Sequence, residues 1–237
     1  LVKGLEDKFG IQAAAPMAAG MMMPAGAAGA VIGGLLGGAF SQILLTVSNL
    51  FRPTMIKRPL MIAAVMGLIV ACIGWLSHGL TFGSGYEAAK TIITHGHALN
   101  VPWAYGFLKM FATLVTYLSG IPGGIFAPTL SAGAGIGKDI AMLFPQHFHD
   151  AIVLMGAVAY FSGVVQSPIT CFVIVLEMTA SASGNMVLPI MVASLVGNAC
   201  SKAICRESLY HALAQRYIAA IKTALNEGEQ DDRDTSH

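Results

Sequence analysis

Apolar runs divided by short polar or Gly/Pro-rich breaks fill most of the 237 residues, and the length of each run indicates what surrounds it. Ala25–Val47 is long enough to cross a bilayer, for which about 20 apolar residues suffice. Its glycines, Gly26, Gly29, Gly33, Gly34, Gly37 and Gly38, recur at spacings that let another helix approach closely. The basic stretch Phe51–Pro59, with Arg52, Lys57 and Arg58, is expected as a loop, cytoplasmic by the positive-inside tendency. A second span follows over Leu60–Leu76. The pattern then shortens. Gly83–Ala89 opens a segment ending at Ile93, Thr94–Asn100 reads as a polar loop, and helices are expected over Pro102–Leu118, Thr129–Phe144, Ala151–Phe161, Ile169–Met178, Met186–Ile204 and Leu209–Ala224. Several are too short to cross alone, so broken helices are implied. Helix ends inside a membrane are tolerated only where protein or a water-filled cavity surrounds them, and transporters place ion sites at such breaks.

Composition sets the solvent. Charged residues make up 11% and hydrophobic residues 55% of the chain, with a mean hydropathy of +0.69; soluble domains carry about 25% charged residues. This is an all-α, multi-pass membrane protein. A net charge of +1, with Lys and Arg assigned to loops and the tail, leaves no basic face for nucleic acid. Cys72, Cys171, Cys200 and Cys205 lack C-x-x-C spacing and read as reduced packing residues. His95 and His97 form an H-x-H pair, and His147 and His149 flank one another, but no further ligands converge on either, so no metal or other cofactor is expected.

The densest local signal is Ser119–Leu130, where Gly123 and Gly124 precede an apolar helix expected to run through Ala141. Glycines let backbone approach a ligand unobstructed, and Pro128 falls at an early helical position where its missing N–H is harmless. The first amides of that helix carry the positive end of its macrodipole, so a dehydrated anion can be held without a basic side chain.

The sequence Gly123-Gly124-Ile125-Phe126-Ala127-Pro128 resembles the GxFxP anion-pathway motif of CLC chloride channels and chloride/proton exchangers. Other stretches are similar in order and spacing: Gly83–Tyr86, Ser167-Pro168-Ile169-Thr170 leading to Val175–Thr179, Leu188–Met191, and Ser208-Leu209-Tyr210. The resemblance covers roughly Gly26–Arg216. It implies the CLC-type fold, specifically the second of two inverted repeats, built from short, broken, tilted helices. It further implies chloride as the transported ion, bound by backbone amides at Ile125 and Phe126, with Gly124 permitting the approach and Tyr210 adding a phenol O–H. Neutral donors suit a conducted halide, because a fixed full charge would hold it too tightly for exit. A homodimer in a prokaryotic inner membrane is implied, formed through Ile169–Met178 and Met186–Ala199, as is an N-terminal half carrying the gating glutamate, the serine-bearing turn and the inner proton-relay glutamate. Channel and exchanger are not distinguished by these residues.

Glu177, the one acidic residue assigned to the middle of an apolar segment, is a functional candidate by default. The resemblance favours a structural or dimer-interface acid, away from the ion turn. Residues 1–24 are expected to be a linker or N-terminal extension, 25–224 the membrane domain and 225–237 a polar tail; no regulatory CBS pair is expected after Arg216. The start at Leu1, without an initiator methionine or signal-peptide pattern, suggests part of a longer protein. Two rivals stand beside chloride: another anion such as fluoride or nitrate on the same scaffold, and an intramembrane serine protease using Ser84 with His78 or His95. The protease lacks both a G-x-S-G pattern and a convincing histidine partner helix, and H-E-x-x-H is absent.

Overall fold

The computed structural model describes residues 16–95, 101–120, 123–179, 186–206, 209–212, 214, 215 and 218. They form α1 (Pro16–Lys57), α2 (Pro59–Leu76), α3 (Tyr86–His95), α4 (Tyr105–Leu118), α5 (Phe126–Ala141), a 3₁₀ turn (Gln146–Phe148), α6 (His149–Val165), α7 (Pro168–Met178) and α8 (Val187–Ile204). Residues 209–212 begin a further helix. No strand occurs among the described residues. Four segments are long and apolar enough to cross a membrane: Gly26–Met55, Pro59–Leu76, Gln146–Val165 and Val187–Ile204. The intervening helices are shorter, with 10, 14, 16 and 11 residues in α3, α4, α5 and α7, as the broken-helix pattern requires.

Helix α6 is the centre. Every residue from Ala151 to Val165 is buried, and α1, α5 and α8 pack around it. A helix apolar on all sides has no face to offer water, so it is enclosed. The α1 glycines explain how closely its neighbours approach. A Cβ on Gly33 would lie 2.6 Å from the Gly156 carbonyl oxygen and one on Gly37 2.5 Å from that of Tyr160, whereas Gly34 and Gly38 face Gly197 and Ser201 of α8. Two small-residue stripes, offset by one residue, thus seat α1 against two helices at once. Hydroxyls bridge the adjoining crossings of α8: Ser201 Oγ donates to Gly163 O of α6 at 2.5 Å, Ser162 Oγ of α6 to Ser194 O at 2.8 Å, and Ser194 Oγ to Pro168 O of α7 at 2.6 Å.

Several boundaries differ from expectation. Helix α1 already runs at Pro16 and continues through Arg52 and Pro53 to Lys57, so the expected basic loop contracts to Arg58 alone. Pro59 occupies the first turn of α2, and the steric restriction a proline places on its predecessor keeps Arg58 out of helical geometry, at φ −144°, ψ 66°. Helix α6 extends to Val165, ending at Gln166 in left-handed geometry (φ 55°) just before Pro168. Tyr105, not Pro102, begins α4, because Ala104 is left-handed at φ 70°. His97, Ser208, Arg216 and the 225–237 tail lie outside the described residues.

Candidate functional site

Ile125 caps α5, and Phe126, Ala127 and Pro128 are its first three residues. The amides of a first turn have no acceptor in a preceding turn, and proline at the third position removes one donor that would have been unpaired anyway. The carbonyl of Ile125 is already engaged, accepting from Thr129 N at 3.0 Å and Thr129 Oγ1 at 2.7 Å, so the turn presents donors. Gly123 and Gly124 have nothing within 4 Å of where a Cβ would stand. Neither lies in the left-handed region. Their lack of side chains keeps a space open; it answers neither a clash nor a backbone constraint.

That space is a cavity of about 310 Å³ lined by Gly123, Gly124, Ile125 and Pro128 on one side and by Thr81, Gly83 and Lys109 on another. Phe126 turns the other way. Its ring stacks on Tyr210, with centroids 5.4 Å apart and planes at 21°, and meets Phe161 of α6 edge-on at 5.8 Å. Of the residues expected at the site, Ile125 and Gly124 therefore face the cavity, Phe126 and Tyr210 meet as a ring pair, and Tyr210 is absent from the cavity wall. Glu177 is elsewhere. It lies exposed on α7, on the face shared with Ile169 and Val173, which are 74% and 51% exposed.

Three charged residues escaped the sequence reading. Lys109, placed with neither loops nor tail, is buried within α4 and donates from Nζ to Thr81 O at 2.8 Å and Gly83 O at 2.7 Å. Lys138 within α5 donates to Val101 O at 2.7 Å. Asp139, a second acid in an apolar helix beside Glu177, accepts the Ala104 N–H at 3.1 Å. A lone lysine between Leu108 and Met110 was the available signal for Lys109. Its partners are carbonyls, which no residue pattern marks. The Gly83–Tyr86 turn wraps this lysine, with Gly83 at φ 65° and Gly85 at φ 74°; a Cβ on Gly85 would stand 2.9 Å from Lys109 Cε.

Elsewhere, Ser84 Oγ accepts the Tyr86 amide at 3.4 Å. His149 Nε2 bonds the Phe144 carbonyl at 2.8 Å, and the His147 ring lies on Phe148. Among the described residues no group of three or more His, Cys, Asp or Glu converges as metal ligands.

Comparison with known proteins places this geometry in a lineage. The chain is 27% identical over 195 residues to an H(+)/Cl(-) exchange transporter ClcA of Klebsiella pneumoniae subsp. pneumoniae, covering 78% of this chain and 41% of that protein. It is 25% identical over 198 residues to the ClcA of Salmonella typhimurium, covering 80% and 41%. The chain thus spans well under half the length of these relatives. The family model described as voltage gated chloride channel matches residues 2–202, which include the turn, the cavity wall and the α6 core, and the chain accordingly belongs to the voltage-gated chloride channel (CLC) family.

Proposed function

We propose that this chain forms part of a chloride-transporting membrane protein, a channel or a chloride/proton antiporter, with the anion held at the mouth of α5. The observation that carries this reading is the open turn: amides at Ile125 and Phe126 beside a space that Gly123 and Gly124 leave unfilled. Helix-terminal amides are suited to a dehydrated anion, and the relatives are H(+)/Cl(-) exchange transporters. Tyr210, stacked on Phe126, supplies a neutral phenol. The reading makes the chain a transporter and not an enzyme, without a cofactor. It includes a homodimer formed through α7 and α8, on whose exposed face Glu177 is a structural acid, and a prokaryotic inner-membrane location with Arg52, Lys57 and Arg58 on the cytoplasmic side. Donors from the remainder of a longer chain complete the ion's shell.

The test is chloride efflux from vesicles containing the full-length protein, with fluoride and nitrate as competing ions. Gly124→Val should remove chloride flux, because the new side chain fills the open space. It should leave the unfolding temperature unchanged, because that side chain meets nothing within 4 Å of its Cβ. Unaltered flux in a folded variant would remove the turn from the pathway, and fluoride or nitrate outrunning chloride would reassign the ion.

A further inference from the structure

A second, larger cavity of about 650 Å³ lies away from the turn, between the C-terminal half of α1, the end of α8 and the helix begun at 209–212. Six polar side chains line it: Gln42, Thr46, Asn49 and Arg52 from α1, Arg206 after α8, and Gln215. Spacings of four, three and three residues put the α1 members on one helix face, inside a segment apolar enough to span a membrane. A polar stripe there needs an occupant or water to satisfy it. Among the described residues, Gln42, Thr46, Asn49, Arg52 and Arg206 make no side-chain hydrogen bond or ion pair. Among the described residues no acidic side chain lines the cavity. Two guanidiniums, three amides and a hydroxyl without a carboxylate form a donor-rich, doubly cationic set, whose match is an oxyanion with several acceptor atoms.

We propose that this cavity holds a phosphate ester, the headgroup of an anionic phospholipid. Size and place decide against a bare halide and for a lipid. The volume exceeds what one small ion fills, and the cavity wall reaches Arg52, toward the end of α1 where exposed Lys57 and, next in the chain, exposed Arg58 lie. Basic pockets between helices at a cytoplasmic membrane face are where anionic headgroups settle. Apolar side chains accompany the polar ones: Ile204 lines the cavity, and Ile43 and Leu50, next in the chain to Gln42 and Asn49, are exposed, offering a surface for the acyl chains that a free phosphate lacks.

The test uses the full-length protein, and its readout is lipid retention, independent of chloride flux. Native mass spectrometry would follow phosphatidylglycerol against phosphatidylcholine carried from mixed micelles by the unsubstituted protein, by R52Q/R206Q and by K57Q/R58Q, which removes the same charge outside the cavity. Asn49→Trp fills the cavity without changing charge. Phosphatidylglycerol should be retained by the unsubstituted protein and K57Q/R58Q, and on the order of 10-fold more weakly by R52Q/R206Q and Asn49→Trp. Inorganic phosphate should not displace it at millimolar concentration. Equal retention by all four proteins, or an equal loss in K57Q/R58Q, would overturn the site. Competition by inorganic phosphate together with no preference for phosphatidylglycerol would assign the cavity to the free ion and overturn the lipid.

Discussion

Two side chains near the turn carry separable roles. In the proposed site Tyr210 would offer one neutral O–H to the ion, a hydrogen bond to a charged partner worth on the order of 1–2 kcal/mol. Tyr210→Phe keeps the ring that stacks on Phe126 and should weaken chloride affinity roughly 5- to 30-fold by calorimetry on the full-length protein. No change would reduce Tyr210 to packing. Lys109 acts on the scaffold. Its Nζ serves the Thr81 and Gly83 carbonyls, and Lys109→Met would leave one buried and one part-buried acceptor without this donor. The expected loss is on the order of 3 kcal/mol, read as a lowered midpoint in a denaturant titration; a midpoint within error of the unsubstituted protein would show that water replaces the ammonium without cost.

Among the elements, the α1–α6–α8 crossing is the most demanding. Its glycine stripes leave backbone against backbone, and the nearest atoms to a Cβ at Gly37 are the Tyr160 carbonyl oxygen and the Gly163 backbone. Rigid neighbours cannot yield as a flexible side chain would, unlike the Met155 thioether that faces Gly26. Gly37→Leu should therefore cost about 1–3 kcal/mol or more through overpacking, seen as a lower unfolding temperature in detergent, whereas Gly67→Leu, with nothing within 4 Å of its Cβ, should be nearly silent. Similar shifts for the two would show that the helices separate freely. The glycine pattern of this crossing was legible in the sequence, because small residues four apart have one principal use in a membrane helix. The continuation of α1 past Pro53 was not. Pro53 and three basic residues read locally as a loop, and the long helix that takes in Pro53, Arg52 and Lys57 overrode that preference.

At the scale of the whole molecule, the open turn as proposed would not by itself complete an ion site. Stripping a halide of water costs far more than two amides and a phenol return, and the chain covers 41% of the length of the relatives it matches. Residues 1–237 reconstituted alone in vesicles should not conduct chloride, and co-expression with the N-terminal part of the full-length protein should restore flux. Robust, selective efflux from the fragment would instead mean that two copies complete each other's site. The exposed apolar faces agree with a surface made to be covered: Leu60, Leu68 and Trp75 of α2 are 86%, 67% and 83% exposed, as suits lipid or another membrane segment.

Local physics was enough to establish that the chain is helical and apolar enough for a membrane, that several of its helices are short, and that a helix begins within Gly123–Pro128. Those properties reside in run length, hydropathy and backbone chemistry, and each is written within a few consecutive residues. Tertiary structure alone decided which partners meet. The stacking of Phe126 on Tyr210, the capture of the Thr81 and Gly83 carbonyls by Lys109, and the meeting of Gln42 and Arg52 with Arg206 at one cavity join residues 26 to 164 positions apart. Contacts of that range depend on how helices cross, which is set by the summed packing of their faces, so no single segment carries the information.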